Sequence, residues 1–165
     1  MSSDGTFSAA EVIYQDHLDV LTRALMTQDV DLFASRMSLP HHVRTQNEEF
    51  WIEDLTQLQT GFAQVCGCMA SSGVTEMIRL VKSAEFEGDT VITGMHETHQ
   101  FHNAAYIMPP YANRIRLEKQ SDDVWRETHS ANAVELRGRK FGLPQHNPDN
   151  TEVPALGTDA KRTMK

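Results

Sequence analysis

The hydrophobic period changes along this chain from that of a helix to that of a strand, and no other feature limits the fold as much. Up to Gly73, apolar residues recur at intervals of three and four, as on one face of an α-helix. From Val74 onward they alternate with polar residues, as in a strand with one buried face. Helices followed by a run of strands predict an α+β domain with an antiparallel sheet.

Two helices are predicted before residue 40. Ser8 and Glu11 have the spacing of a capping box, and an apolar stripe behind them predicts the first helix. A break at residues 27–29 separates it from a short second helix, which Pro40 prevents from continuing. The stripe on the first helix consists of Tyr14, Leu18, Leu21 and Leu25.

The segment from His41 to Trp51 permits two interpretations. It reads as a short hairpin with a turn near Gln46, or as a helix that begins at Asn47; we favour the hairpin. A long helix then begins near Glu53 and ends at Gly73, a residue suited to a helix C-terminus. Its apolar face contains Leu55, Leu58, Phe62, Val65 and Met69.

Four antiparallel strands are predicted after this helix, and they complete a single domain over residues 1–137. Residues 138–165 contain three of the six prolines and no hydrophobic period, which predicts a surface tail. The first of the four predicted strands starts at Val74. The other three cover Thr90–His102, Tyr111–Lys119 and Asp123–Leu136.

Composition narrows the class of protein. The 165 residues carry a net charge of −8, which disfavours nucleic acid and anionic membranes as partners. No apolar run approaches the roughly 18 residues of a membrane-spanning helix. Cys66 and Cys68 are too close in sequence to indicate a disulfide framework, so we expect a cytoplasmic protein.

Two short motifs resemble the nuclear transport factor 2-like superfamily, which includes SnoaL-like polyketide cyclases, ketosteroid isomerases and scytalone dehydratase. The first runs from Leu21 through Leu25 and Asp29-Val30-Asp31 to Phe33, and the second is Asp123-Val124-Trp125-Arg126. Together with the order of elements, the resemblance implies a cystatin-like roll. In such a roll, a cone-shaped curved antiparallel sheet wraps around a long helix, with two N-terminal helices beside it. Members of the superfamily differ in function, so the fold alone does not assign an activity.

The residues of a ketosteroid isomerase are not found at the matching positions. The resemblance would place an acidic base near Thr45, a tyrosine at Leu21 and a second acid near Arg114. None of the three residues present can do that work. The sequence therefore argues against steroid isomerisation by that machinery.

Histidines are frequent in the predicted sheet, but their spacing does not predict a metal site. His96, His99 and His102 follow each other at intervals of three, so strand alternation puts His99 on the opposite face from the other two. A helical zinc motif needs two histidines four residues apart. No metal or cofactor is predicted.

Strand alternation also suggests which residues line a cavity. The odd-numbered residues from 91 to 101 are the more apolar set, so we assign Glu97, His99 and Phe101 to the concave side. The same argument places Glu127 and His129 there. We expect His99, Glu127 and Glu97 to be catalytic, since a carboxylate beside an imidazole can exchange protons near neutral pH. The predicted ligand-binding residues are Tyr14, Phe62, Phe101, Tyr111, Trp125 and His129.

Two functions remain open at this point. The first is a cofactor-independent isomerase, cyclase or dehydratase that moves a proton next to a carbonyl of a small hydrophobic, oxygenated ligand. The second is a non-catalytic module that binds a ligand or pairs with another copy. A homodimer through the outer face of the sheet is expected from the resemblance, and we assign Ile92 and Val124 to that outer face.

Overall fold

The computed structural model describes residues 5–46, 48–132 and 153–157, and within these residues it contains three helices and seven strands. The helices precede most of the sheet, as the change of period predicted. The helices are α1 (Ala9–Thr27), α2 (Val30–Ser35) and α3 (Leu55–Ser71). The strands are β1 (Met37–Arg44), β2 (Glu49–Ile52), β3 (Glu76–Phe86), β4 (Val91–His102), β5 (Ala105–Tyr106), β6 (Tyr111–Lys119) and β7 (Trp125–Asn132).

Side-chain caps set the start of each helix. Ser8 accepts a hydrogen bond from the N–H of Glu11 at 3.2 Å, which confirms the predicted start of α1. Asp29 caps α2 and Asp54 caps α3 in the same way. The turn after α1 is made by Gln28, whose φ of 55° lies in the left-handed region. The breaks between helices therefore come from local side-chain chemistry.

The sheet is curved and mixed, with the strand order β2-β1-β7-β6-β4-β3. Strands β1 and β7 run parallel, whereas all other neighbouring strands are antiparallel. The sheet differs at this one pair from the wholly antiparallel sheet that was predicted. The predicted hairpin at residues 41–51 is confirmed, because β1 pairs with β2 through His42 opposite Trp51. The short strand β5 pairs with the end of β4 and was not predicted.

The main hydrophobic core lies between α1 and the concave face of the sheet. Tyr14 and Leu18 of α1 are fully buried against Ile92, Ile115 and Leu117. A second buried cluster lies where α1 meets β1, β2 and α3. This second cluster contains Leu21, Met37, Val43, Ile52 and Leu58.

The predicted orientation of β4 is wrong. Its even-numbered residues, from Ile92 to Gln100, are the buried ones. Gly94 shows why: a Cβ at this position would lie 2.6 Å from Cε2 of Tyr14, so the aromatic ring of α1 packs directly on this side of the strand. Ile92, which we had assigned to the outer face, is completely buried.

A β-bulge in β7 reverses a second assignment. Glu127 pairs with Leu117, but the next pair is His129 with Arg116, so Thr128 is an extra residue on this strand. An extra residue moves every following side chain to the other face of the sheet. Glu127 therefore faces the concave side as predicted, whereas His129 does not.

The proposed boundary at residue 137 and most of the predicted tail, 138–152 and 158–165, lie outside the described residues. Residues 153–157 lie on the outer face of the sheet, where the carbonyl of Ala155 accepts a hydrogen bond from Arg44 at 3.1 Å. Gly157 lies directly against the ring of His42, with no room for a Cβ. Within the described ranges, no helix has the length and apolar character needed to cross a membrane.

Candidate functional site

A cavity of about 220 Å³ lies between the helices and the concave face of the sheet. Its wall on the helix side is apolar, whereas its wall on the sheet side carries most of the polar groups. Phe33 and Phe62 form a tilted ring pair on the helix side, with centroids 4.9 Å apart. The polar wall includes His41, Arg79, His96, Thr98, Gln100 and Glu127.

Three of the predicted site residues line this cavity: Phe62, Tyr111 and Glu127. Tyr14 lies behind the wall, fully buried, and reaches it through a hydrogen bond with His96. Trp125 packs against the main core near Phe86, and it does not line the cavity. Of the ligand-binding residues predicted on the helices and β6, Phe62 and Tyr111 thus line the cavity and Tyr14 does not.

Three other predicted site residues lie on the outer face because β4 is reversed relative to our assignment. Glu97, His99 and Phe101 cluster there with Tyr106. His99 contacts Glu97 through Nε2 at 2.9 Å and the hydroxyl of Tyr106 through Nδ1 at 2.9 Å. This group is outside the cavity and cannot act on a ligand bound within it.

His129 is also on the outer face, as a consequence of the bulge at Thr128. Its ring lies 5.6 Å from the ring of His42 and 6.0 Å from that of Trp51. Its Nδ1 is hydrogen-bonded to the hydroxyl of Thr128 at 2.9 Å. His129 therefore belongs to a buried aromatic group outside the cavity.

Glu127 is a buried carboxylate beside a buried histidine. Its Oε2 lies 3.5 Å from Nε2 of His41, at the outer limit of a hydrogen bond. Burial by itself raises the pKa of Glu127, but interaction with His41 and the charges of His17 and Arg79 more than offset this and leave the pKa below its ordinary value. Glu127 is therefore ionised at neutral pH, although it is almost completely removed from solvent.

A chain of three side chains connects α1 to the cavity. The hydroxyl of Tyr14 lies 2.7 Å from Nδ1 of His96, and Nη2 of Arg79 lies 3.1 Å from Nε2 of the same ring. A guanidinium can only donate, so Nε2 of His96 must be the acceptor and its proton must be on Nδ1. Burial lowers the pKa of His96, and electrostatic interactions with Arg79 and His17 lower it further. The lowered pKa fits this neutral form.

Further polar groups bond to one another along the sheet wall. Thr98 donates to Oδ1 of Asn113 at 2.7 Å, and Nδ2 of Asn113 donates to Asn132. Nε2 of Gln100 donates to the hydroxyl of Tyr111 at 3.4 Å. Burial raises the pKa of Tyr111 to about 12, so its hydroxyl stays protonated at neutral pH.

Sequence reasoning missed five residues of the polar wall: His41, Arg79, His96, Thr98 and Gln100. The three on β4 belong to its less apolar face, which the sequence analysis had placed outward, but hydrogen bonds to neighbouring side chains reduce the cost of burying such groups. One signal could have identified the correct face. Gly94 interrupts β4 on the even-numbered side, and a glycine within a strand often marks the close approach of another element.

Among the residues with described positions, no three His, Cys, Asp or Glu side chains are grouped so that they could hold a metal ion. The polar wall instead combines a carboxylate, a guanidinium and neutral hydrogen-bonding groups. Such a set can bind an oxygenated organic molecule and can transfer protons.

Neither protein-family models nor curated proteins give a match to this sequence. Solved structures do match. An NTF2-like protein of unknown function from Pseudomonas putida KT2440 superposes with a TM-score of 0.58 and 9% identity, over 87% of this chain and 100% of that one. An NTF2-like protein of unknown function from Shewanella oneidensis MR-1 superposes with a TM-score of 0.57 and 11% identity, over 72% of this chain and 94% of that one.

A ketosteroid isomerase-like protein from Erwinia carotovora atroseptica SCRI1043 matches with a TM-score of 0.52 and 12% identity, over 74% of this chain and 93% of that one. Identities this low establish the fold and leave the activity open. The chain therefore has the fold of the nuclear transport factor 2-like proteins, as the resemblance in its sequence predicted.

Proposed function

We propose that this protein binds a small hydrophobic ketone in its cavity and moves a proton next to the carbonyl, with Glu127 as the base. The observation that carries the proposal is an ionised carboxylate and a guanidinium in the wall of one largely apolar cavity. A base and a group that stabilises an oxyanion are the two requirements for this reaction. The proposal keeps Glu127 from the sequence analysis and replaces Glu97 and His99.

Glu127 would remove the proton from the carbon next to the carbonyl. It is ionised at neutral pH, and His41 lies 3.5 Å from its Oε2. A bound apolar ligand would displace water from the cavity, which raises the basicity of a buried carboxylate. His41 would then receive or return the proton, since its Nε2 is the ring nitrogen next to the Glu127 carboxylate.

Arg79 would stabilise the negative charge that forms on the carbonyl oxygen. When Glu127 takes the proton, the C–H electron pair forms the enolate C=C bond and the carbonyl π pair moves to oxygen. One guanidinium nitrogen of Arg79 contacts His96, and no carboxylate of the described residues lies within ion-pair distance of Arg79. Its other N–H groups can therefore donate to the ligand. His96 and Tyr14 would act as positioning residues for this guanidinium.

Hydrogen–deuterium exchange of 1-tetralone in D₂O tests the proposal. This compact bicyclic ketone has exchangeable protons at C2, and their replacement is followed by NMR. We expect the wild-type protein to accelerate exchange and Glu127→Gln to lose at least about 100-fold of that acceleration, a typical loss for a positioned base.

Glu97→Gln is the matched control, because it makes the same chemical change on the outer face. It should leave the exchange rate within about twofold of wild type. Equal rates for wild type and Glu127→Gln would refute the catalytic proposal. Loss of activity in Glu97→Gln alone would show that the outer cluster performs the chemistry.

A non-catalytic module is the second candidate, and exposed apolar side chains on the sheet favour it. Ile78, Leu80 and Tyr106 are 38%, 44% and 54% exposed. A surface of this kind is suited to pairing with a second copy. Binding of 1-tetralone with no Glu127-dependent exchange would favour this candidate over an enzyme.

A further inference from the structure

Strand β3 lies at one end of the sheet, and among the described residues no strand pairs with its free edge. Such an edge carries main-chain N–H and C=O groups to which another strand can bind. Two apolar side chains of β3, Ile78 and Leu80, are also exposed. A strand of this kind is a site of association between copies of a protein unless something covers its edge.

The side chain of Gln15 on α1 covers the middle of this free edge. Its Nε2 donates to the carbonyl oxygen of Arg79 at 2.8 Å, and its Oε1 accepts from the N–H of Val81 at 2.9 Å. Alternate residues of a strand direct their main-chain groups to the same edge, so Leu80 between them directs its own groups to β4. The amide of Gln15 therefore makes the two hydrogen bonds that one residue of a parallel neighbouring strand would make.

The amide is held in this orientation by Asp19, one helical turn further along α1. Oδ1 of Asp19 accepts a hydrogen bond from Nε2 of Gln15 at 2.9 Å. A carboxylate only accepts, so the amide nitrogen must face Asp19, and Oε1 is left to accept from Val81. The pairing of β3 with β4 shifts directly after Val81, and such a bulge also disfavours the addition of a strand. The part of the edge that needs covering is thus the part before the bulge.

We propose that residues 77–81 of β3 form a pairing surface for the same segment of a second copy of this chain, and that Gln15 keeps this surface closed. The segment Met77-Ile78-Arg79-Leu80-Val81 is rich in apolar and β-branched residues. Two copies side by side would bring their exposed apolar side chains together on one face of a continuous sheet. This pairing uses the N–H of Val81, whereas a homodimer through the outer face of the sheet does not.

Hydrogen exchange and sedimentation velocity of Gln15→Ala test this inference. Loss of the amide frees the N–H of Val81, so at low protein concentration its exchange should become at least about tenfold faster than in wild type. At higher concentration, Gln15→Ala should form species that are larger than those of wild type. Asp19→Ala is the matched control, because it shortens a neighbouring side chain on the same helix and leaves both hydrogen bonds from Gln15 to β3 available. It should behave as the wild type does.

Leu80→Lys, added to Gln15→Ala, separates edge pairing from partial unfolding. A lysine on an edge strand opposes pairing, and Leu80 is exposed, so the double variant should return to the size distribution of wild type. Larger species that persist in the double variant, or an unchanged exchange rate of Val81 in Gln15→Ala, would overturn the inference.

The wild-type protein provides a test even if Gln15→Ala does not fold. The amide of Val81 should exchange within about tenfold of the amide of Leu80, because Gln15 protects the first as β4 protects the second. Exchange of Val81 at the rate of an unprotected amide would show that Gln15 does not close the edge, and would overturn the inference.

Discussion

Replacement of Gly94 by alanine should destabilise the protein strongly. The added Cβ would lie 2.5 Å from the carbonyl oxygen of Ser83 and 2.6 Å from Cε2 of Tyr14. Neither neighbour can move freely, because one is sheet backbone and the other is a fully buried ring. Overpacking of this kind costs about 1–3 kcal/mol, and displacement of Tyr14 would also disturb its buried hydrogen bond to His96, for about 1 kcal/mol more.

Gly94→Ala should therefore lower the free energy of unfolding by about 3 kcal/mol, which corresponds to a decrease in Tm of about 10 °C for a domain of this size. Differential scanning calorimetry measures it directly. Gly67→Ala is the matched control, because Gly67 is an exposed residue within α3 with no atom within 4 Å of an added Cβ. Alanine is a better helix former, so this variant should be stabilised by up to about 1 kcal/mol.

A Gly94→Ala protein with wild-type stability would show that Tyr14 does not pack on this side of β4. The orientation of the strand, and with it the composition of the cavity wall, would then be wrong. A loss in both variants would mean that calorimetry reports a general intolerance of added methyl groups and not the contact with Tyr14.

Three further predictions concern the outer face, pH and assembly. His99→Ala should leave the affinity for 1-tetralone within about twofold of wild type by titration calorimetry, because His99 lies outside the cavity; a large loss would place it in the site. Burial, partly offset by Glu127, lowers the pKa of His17 from 6.5 to about 4, so the unfolded state binds the proton first as the pH falls. Stability should therefore decrease between about pH 6.5 and 4, by about 3 kcal/mol from this group, and urea titrations of wild type and His17→Asn should differ in this slope. Sedimentation velocity should give a homodimer at micromolar concentration, and a single 18.6 kDa species would refute it.

The element order could be predicted from the sequence because periodicity and caps are local signals. Ser8 caps α1 as its spacing to Glu11 indicated, and Gly73 follows α3 with a φ of 74°. The hairpin of β1 and β2 was also predicted correctly. The parallel pairing of β1 with β7 could not be predicted in this way, since it joins segments about 90 residues apart.

The cavity wall was predicted only in part, because the alternation of side chains divides a strand into two faces but does not show which face is buried. We took the more apolar face of β4 as the inner one, but His96 and Thr98 are inside, where Tyr14 and Asn113 satisfy them. The apolar residue Phe101 on the other face packs with Tyr106 of β5, a strand that was not predicted. For His129 the error came from one extra residue, Thr128, whose bulge leaves no local pattern in the sequence.

We propose that the even-numbered side of β4, together with Glu127 and His41, forms the ligand site. Long-range ¹⁵N–¹H NMR of the histidine side chains, with and without 1-tetralone, tests it most directly. We expect His96 to be neutral with its proton on Nδ1, as its contact with Arg79 requires, and we expect the resonances of His41 and His96 to shift when the ligand binds. The signals of His99 should not move. A shift of His99 with unchanged His41 and His96 would contradict the account.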